Sequence, residues 1–332
     1  MDRVPVIDLS GLSGDGAARA RVAAAIGEAC RAHGFFYVSH HGVPAALCEA
    51  LEAQARAFFA LPDAQKRQLA MTNGGRAWRG WFAVGDELTS GLPDQKEGLY
   101  LGTELDEAHP LVRARTPMHG RNLFPDLPGF RETVLAYMDA VTSLGHRLME
   151  AIAQSLGLER DYFAARYTAD PLVLFRMFHY PAPRGPANAA LAERPAWGVG
   201  EHTDYGLLTL LLQDGHGGLE VKTSAGWIDA PPIPDTFVCN IGDMLDRMTR
   251  GLYRSTPHRV RASRTHDRVS FPLFFDPNFH ARVQPIEGLP PRPDDRQSRW
   301  DGESVHAFDG TYGEYLVRKV SKVFPQLRGD VL

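Results

Sequence analysis

The chain has 332 residues, a length that fits one large domain or two smaller ones. Hydrophobic residues make up 44% and charged residues 23%, which favours a globular protein with a sizeable core and excludes a disordered or collagen-like chain. The 36 basic and 40 acidic residues give a net charge of −4, which argues against a nucleic-acid-binding protein. No apolar stretch approaches the roughly 20 residues of a membrane-spanning helix, so no membrane partner is predicted.

The N-terminus and the cysteines bear on the location of the protein. The N-terminus has no charged start followed by an apolar stretch, so no signal peptide is predicted. The three cysteines (Cys30, Cys48 and Cys239) are scattered and form no CxxC pair, which argues against a disulfide framework. We therefore expect a reduced, cytoplasmic compartment. Nothing in the sequence predicts the oligomeric state.

The first part of the chain mixes helix and strand signals. Short apolar runs predict strands, and apolar residues at helical spacing predict helices that end near glycine or proline. The predicted elements are strands at 5–9 and 35–38 and helices at 16–33 and 45–59. Residues 71–127 are rich in glycine, proline and aromatic residues, and we expect long irregular structure there, of the kind that often carries function.

The second part begins with the clearest helix and then changes to strands. Residues 130–158 carry apolar side chains at three- or four-residue spacing, which predicts an amphipathic helix that supports a core. Short strand candidates separated by glycine, proline and aspartate follow, a pattern typical of a sandwich or barrel. They lie at 172–178, 207–212, 219–222, 227–230, 236–241, 258–261 and 269–275.

The most informative segment contains His202 and Asp204, which are two residues apart and, at a strand end, can point at the same ion. A further histidine, His258, follows 56 residues later along the chain. Two histidines and one carboxylate on one face of a metal leave three coordination positions open, which is typical of non-haem Fe(II) oxygenases. A metal-binding protein without enzymatic activity and a zinc hydrolase remain alternatives, although no motif supplies the carboxylate base that a zinc hydrolase needs.

A candidate anion site lies ten residues after His258. Arg268 offers a planar fork for a carboxylate, and Ser270, two residues further along a strand, lies on the same face. This pair suits the distal carboxylate of a dicarboxylic acid whose other end chelates the metal.

Together these motifs resemble the isopenicillin N synthase-like family of Fe(II)/2-oxoglutarate-dependent oxygenases, over nearly the whole chain. The resemblance is carried by PVIDL at 5–9, GFFYV at 34–38, HGVP at 41–44, DQKE at 94–97, HTD at 202–204 and NIGD at 240–243. It implies a mainly β fold with flanking helices, in which a double-stranded β-helix (a jelly-roll, cupin-like core) holds iron in its mouth. It also implies one compact unit with an N-terminal α/β region at 1–115 and the jelly-roll core at 171–280. Supporting helices and a C-terminal segment would occupy 116–170 and 281–332.

The resemblance also assigns roles at the site. His202, Asp204 and His258 take the iron-ligand positions, and Arg268 and Ser270 take those that bind the C5 carboxylate of 2-oxoglutarate. Tyr180 matches the tyrosine of a Tyr-Pro motif that contacts the same carboxylate. The implied activity is oxidation, most often hydroxylation, of a small organic molecule by O2, with 2-oxoglutarate decarboxylated to succinate. Because Asp204 keeps its carboxylate where related halogenases leave room for chloride, halogenation is not expected.

Substrate contacts are predicted in the aromatic segment and in the strand before the Tyr-Pro motif. The candidates are Trp81, Tyr100 and Phe178, which favour an organic substrate with an apolar portion. Phe178 stands where plant members often carry asparagine, so plant substrates are not transferred to this chain.

Two alternatives within the same family remain open. An iron oxidase of the isopenicillin N synthase type would use O2 without 2-oxoglutarate while keeping a similar arginine and serine. The stretch HTDYGLL at 202–208 is also similar to that of the bacterial ethylene-forming enzyme. Measurement of succinate and of headspace gas distinguishes these activities from hydroxylation.

Overall fold

The computed structural model of the protein describes residues 3–182, 197–263, 265–299, 301–327 and 329. Within these residues, twelve strands form one eight-stranded sheet and one four-stranded sheet. The strands are β1 Val6–Asp8, β2 Phe35–Ser39, β3 Gly80–Phe82, β4 Glu97–Gly102, β5 Leu172–Tyr180, β6 Trp197–His202, β7 Leu208–Gln213, β8 Leu219–Thr223, β9 Gly226–Asp229, β10 Phe237–Ile241, β11 His258–Arg261 and β12 Arg268–Asp276. The α-helices are α1 Gly16–Ala32, α2 Ala45–Phe59, α3 Asp63–Lys66, α4 Met71–Gly74, α5 Pro110–Arg113, α6 Phe130–Ser155, α7 Asp243–Met248 and α8 Tyr312–Val323.

The two sheets form the double-stranded β-helix that the sequence predicts. In the larger sheet β10, β7, β12 and β5 are antiparallel neighbours, and the smaller sheet has the order β6-β11-β8-β9. Residues from both sheets line a single cavity, so the sheets face each other as in a jelly-roll. The predicted fold class is confirmed.

The N-terminal part of the chain extends the larger sheet at both of its edges. At one edge β1 pairs parallel with β2, and β2 pairs antiparallel with β10. At the other edge β4 pairs with β5, and β3 pairs with β4. The strands of both parts therefore share one hydrogen-bonded sheet.

Helix α6 supports the back of this sheet, as its apolar stripe predicts. Its fully buried side chains include Val134, Tyr137 and Leu148. Gly145 lies so close to β12 that an added Cβ would be 2.6 Å from the ring of Phe275. Glycine at this position therefore allows the helix to approach the strand that carries Arg268 and Ser270.

The expectation of irregular structure over 71–127 is wrong at two strands, β3 and β4. Both are buried, although the sequence of β4 contains Gly98 and Gly102, which strand propensity disfavours. The neighbours of these glycines explain their presence: an added Cβ at Gly98 would lie 2.6 Å from the ring of Phe82, and one at Gly102 would lie 2.1 Å from the guanidinium of Arg79. Tertiary packing thus overrides local propensity here.

The structure also contains a strand, β6, and two helices, α7 and α8, that were not predicted from the sequence. Helix α8 begins with a capping box in which Thr311 and Glu314 satisfy each other's backbone N–H groups. Its apolar face, including Leu316 and Val320, lines the cavity between the sheets. In the described parts of the chain, no helix combines the length and apolar character required to cross a membrane.

Candidate metal centre and cavity

The structure brings His202, Asp204 and His258 together at the mouth of the jelly-roll. His202 ends β6, His258 begins β11, and the two residues are direct partners across these antiparallel strands. The Nε2 atom of each histidine lies 3.8 Å from Oδ1 of Asp204. One potential ligand atom from each residue lies within 4.8 Å of the other two. This convergence of two imidazoles and one carboxylate fits a facially bound Fe(II) ion.

Hydrogen bonds hold the ligand atoms in the orientation that a metal needs. The Nδ1 atoms of His202 and His258 lie 2.8 and 3.2 Å from the carbonyls of Gly200 and Thr256. When Nδ1 carries the proton of a neutral imidazole, it donates to the carbonyl and leaves the Nε2 lone pair for a metal. These contacts favour that tautomer in both rings.

The carboxylate of Asp204 is oriented in the same way. Its Oδ2 atom accepts hydrogen bonds from Thr209 Oγ1 at 2.5 Å and Asn240 Nδ2 at 2.6 Å. Thr209 on β7 and Asn240 on β10 are partners in the larger sheet, so the two donors lie side by side. The remaining oxygen, Oδ1, faces the histidines and is the one available to a cation.

The surroundings of His258 and Asp204 keep these two groups in the protonation states of metal ligands. Burial lowers the pKa of His258 well below its ordinary value, and the neighbouring His202 acts in the same direction. Burial alone would raise the pKa of Asp204, but the two imidazoles and the hydrogen bonds from Asn240 and Thr209 hold it below its ordinary value. The site therefore offers a neutral His258 and a negative carboxylate at neutral pH.

The turn after Asp204 depends on glycine. An added Cβ at Gly206 would lie 1.5 Å from Oδ1 of Asp276, and one at Gly242 would lie 2.3 Å from the carbonyl of Gly206. The backbone of Asp243 also donates to the carbonyl of Asp204 at 2.8 Å. These close approaches explain why the HTDYG and NIGD motifs occur together.

Arg268, Ser270 and Tyr180 meet at one end of the cavity. Arg268 is opposite Tyr180 in the pairing of β12 with β5, and its Cζ lies 4.7 Å from the centroid of the Tyr180 ring. The hydroxyls of Tyr180 and Ser270 are 3.4 Å apart. All three residues are buried and line the cavity.

The guanidinium of Arg268 is only partly satisfied. Its Nη2 donates to Gln213 Oε1 at 3.3 Å, while Nε and Nη1 are buried without a hydrogen-bond partner in the described parts of the chain. Leaving such donors unpaired is costly, and a carboxylate is the ligand that matches their planar fork. This observation fits a dicarboxylic co-substrate whose far end lies against Arg268.

Two of the three predicted substrate contacts lie in the cavity. Tyr100 and Phe178 line it, whereas Trp81 does not. Because successive side chains of a strand point to opposite faces, Phe82 packs against Tyr100 and Phe178 while Trp81 faces away. The indole of Trp81 instead donates to Glu97 Oε2 at 2.7 Å. The structure thus gives no support for a substrate contact at Trp81.

A buried charge network in the cavity wall was missing from the sequence-based candidates. Lys96, from the DQKE segment, forms ion pairs with Asp94 and Glu87, and the hydroxyl of Tyr100 donates to Glu87. Asp94 also accepts a hydrogen bond at 3.1 Å from the backbone of Gly200, which lies two residues before His202. The network thus links the segment before β4 to the strand that carries the first histidine.

Comparison with known proteins agrees with this geometry. Residues 4–127 match the model described as non-haem dioxygenase in morphine synthesis N-terminal, and residues 170–277 match the 2OG-Fe(II) oxygenase superfamily. The chain is 51% identical over 354 residues to a probable iron/ascorbate oxidoreductase of Dictyostelium discoideum, covering 100% of this chain and 98% of the relative. It is 38% identical to a 1-aminocyclopropane-1-carboxylate oxidase of the same organism, covering 98% and 96%.

A solved structure is also similar to this chain over nearly its full length. The crystal structure of a Neurospora crassa protein in complex with alpha-KG and thymine matches with a TM-score of 0.79 and 30% sequence identity. The match covers 96% of each chain.

Proposed function

Because the chain belongs to the isopenicillin N synthase-like family of 2OG-Fe(II) oxygenases, we propose that it hydroxylates a small organic molecule at the centre formed by His202, Asp204 and His258. The protein is a non-haem Fe(II)/2-oxoglutarate dioxygenase and uses O2 as its second co-substrate. Bound Fe(II) supplies the redox chemistry by which O2 converts 2-oxoglutarate to succinate and CO2 and adds one oxygen atom to the substrate.

The main support for the proposal is that one cavity contains both a set of three metal ligands and an arginine with unpaired donors among the described residues. Oδ1 of Asp204 and the Nε2 atoms of two histidines converge without a further protein ligand among the described residues. At the end of the same cavity, Arg268 holds two buried donors that lack acceptors in the described chain. A metal with open positions and a chelating dicarboxylate would satisfy both groups at once.

In this proposal the side chains of the chain bind and orient the reactants. Arg268 and Ser270 hold the C5 carboxylate, and the hydroxyl of Tyr180 lies beside Ser270 at the same end. Asn240 and Thr209 keep Oδ1 of Asp204 directed at the metal. The apolar wall that includes Phe178 and Phe274 keeps bulk water from the reacting centre.

Binding of the two cofactors tests the proposal directly. Anaerobic addition of Fe(II) and 2-oxoglutarate to the protein should produce a visible metal-to-ligand charge-transfer band, and Asp204→Ala should lose both the band and the bound iron while keeping its circular dichroism. A screen of small organic acids, amino acids and nucleobases under O2 should then yield one succinate for each oxidised substrate molecule. Absence of the band in the parent protein would contradict the proposal.

The same assay separates the two neighbouring activities. Substrate oxidation that continues without 2-oxoglutarate would indicate an oxidase, the activity that the name of the 1-aminocyclopropane-1-carboxylate oxidase relative carries. Ethylene in the headspace would indicate conversion of 2-oxoglutarate itself.

A further inference from the structure

Arg176 is a second buried arginine in the cavity, separate from the group around Arg268. It lies on β5 four residues before Tyr180, and the two-residue period of a strand places both side chains on the inner face. Along the pairing of β5 with β12, Arg176 lies between the position opposite Ser270, at the proposed 2-oxoglutarate end, and the position opposite Phe274. Phe274 is in turn opposite Thr209, which holds Asp204. Arg176 therefore projects from the larger sheet between the proposed co-substrate end and the metal centre.

The contacts of Arg176 are with Tyr100, whose side chain also hydrogen-bonds to it, and with two backbone carbonyls, none of which is a carboxylate. Its Cζ lies 3.5 Å from the centroid of the Tyr100 ring, and its Nη1 donates to the carbonyls of Leu101 and Phe175 at 3.3 and 3.2 Å. A guanidinium has five N–H donors in a planar fork. Among the residues that the structure describes, no carboxylate forms an ion pair with this one.

The charged groups around Arg176 do not neutralise it at close range. The nearby carboxylates are Glu87, which is already paired with Lys96, and Asp276, which accepts a hydrogen bond from Tyr312. Arg79, a second buried guanidinium, is close enough for the two positive charges to oppose each other. Burial lowers the pKa of Arg176, which reflects the cost of keeping this charge away from water.

Among the described residues, Arg176 lacks the close counter-ion that a neighbouring buried cation has. Lys96, another buried cation of the cavity wall, is matched by two carboxylates. A buried charge is normally paired, because transfer of an unpaired ion from water costs several kcal/mol. A bound anion at Arg176 would provide the missing partner.

The residues that line the cavity with Arg176 indicate that the rest of such a ligand is apolar. The cavity that Arg176 lines is also lined by Tyr100, Phe178 and Phe274 from the sheet and by Leu316 and Val320 from α8. We propose, on the basis of the function proposed above, that the primary substrate is a small carboxylic acid with an apolar body, and that Arg176 binds its carboxylate. Arg176 is then a substrate-binding residue that selects acids over their neutral analogues.

Matched pairs of acids and amides test this inference. The probes are hexanoate and hexanamide, 3-phenylpropanoate and 3-phenylpropanamide, and L-leucine and L-leucinamide, which differ within each pair at the carboxylate. Calorimetric titration into the anaerobic Fe(II)/2-oxoglutarate complex measures binding without turnover. At least one acid should bind at least about tenfold more tightly than its amide, since a hydrogen bond to a charged group is worth about 1.5–3 kcal/mol.

Variants of Arg176 test whether this residue causes the preference for acids over amides. Arg176→Gln should weaken binding of that acid about tenfold to a hundredfold and leave amide binding nearly unchanged, whereas Arg176→Lys should retain part of the preference. Arg261→Gln removes an arginine whose side chain is 53% exposed and serves as the matched control, with no expected change. Circular dichroism and the charge-transfer band of each variant verify that the fold and the co-substrate site are intact.

The outcomes separate this inference from the proposed function. Absence of the charge-transfer band in the parent protein would contradict the proposed oxygenase function. A normal band with equal binding of acids and amides, with no binding of any acid, or with unchanged acid binding in Arg176→Gln would overturn only the role of Arg176. A weaker affinity of Arg176→Gln for 2-oxoglutarate, with acid binding unaffected, would assign the arginine to the co-substrate and would also overturn the inference.

Discussion

The side-chain amide of Asn240 donates a hydrogen bond to Oδ2 of Asp204 at 2.6 Å, on the side of the carboxylate that faces away from the two histidines. This contact connects β10 to the metal centre and determines which oxygen is available to a cation. Asn240 belongs to the NIGD motif, so the resemblance marked its position without stating what the side chain does.

Removal of this hydrogen bond should weaken iron binding. Asn240→Ala leaves the three ligands in place but frees the carboxylate of Asp204 to rotate, and loss of such a supporting contact typically reduces metal affinity about tenfold to a hundredfold. Anaerobic Fe(II) titration measures the change. Asn278→Ala, which removes an asparagine that bonds Asp170 outside the cavity, is the control and should bind iron as the parent does. Equal iron affinities in the two variants would contradict the role of Asn240.

Truncation of Arg268 should raise the requirement for 2-oxoglutarate. Arg268→Ala removes the charged fork of the proposed C5-carboxylate site, so the KM for 2-oxoglutarate should rise about tenfold to a hundredfold with a smaller change in kcat. Ser270→Ala removes one neutral hydroxyl and should raise the same KM by only about fivefold. Succinate formation at varied 2-oxoglutarate concentration measures both. An unchanged KM in Arg268→Ala would argue against this site.

The C-terminal segment should depend for its stability on Arg299. This arginine is 7% exposed and forms ion pairs with the buried Asp243 and Asp246 on α7, and with Asp295. Arg299→Ala leaves buried carboxylates without their cation, which should lower the free energy of unfolding by about 3–5 kcal/mol.

Urea denaturation measures that loss, and an exposed ion pair provides the comparison. The side chain of Arg318 is 47% exposed where it pairs with Glu303, so Arg318→Ala should cost less than about 1 kcal/mol. Similar losses of unfolding free energy in the two variants would show that the buried ion pairs of Arg299 stabilise the protein no more than an exposed pair does.

The stability of the protein should depend on pH through Asp276. Burial raises the pKa of this carboxyl from 3.8 to about 7. The folded state therefore keeps the proton up to about pH 7, while the unfolded chain releases it near pH 4, so the stability contributed by this group falls as pH rises between these values. Asp276→Asn cannot ionise. Relative to the parent, its free energy of unfolding should increase from pH 5 to pH 8 by about 1–3 kcal/mol.

Denaturation of both metal-free proteins at pH 5, 6, 7 and 8 measures this difference, because other titrating groups cancel in the comparison. A difference between Asp276→Asn and the parent that stays constant with pH would contradict the prediction.

The family was recognisable because its motifs are short and local in the chain, and the resemblance implied the jelly-roll, whereas the strand pattern alone indicated only a sandwich or barrel. The bounds of α2 and β11 agree with the prediction from apolar spacing alone, and the HTD motif with a later histidine indicated the metal centre. The strands β3 and β4 were not predicted, because the glycines of β4 weaken its strand signal and are explained only by the side chains packed against them.

By itself, the sequence determined the chemistry of the ligand set, since two imidazoles and one carboxylate select a metal and leave its other positions open. Only the tertiary structure decided which aromatic residues line the cavity, because a shift of one residue along β3 reverses the direction of a side chain and turns Trp81 away. It also decided the place of Arg176. Whether an arginine is solvated, ion-paired or buried without a counter-ion depends on strands and helices that are distant in the chain and meet only in the folded protein.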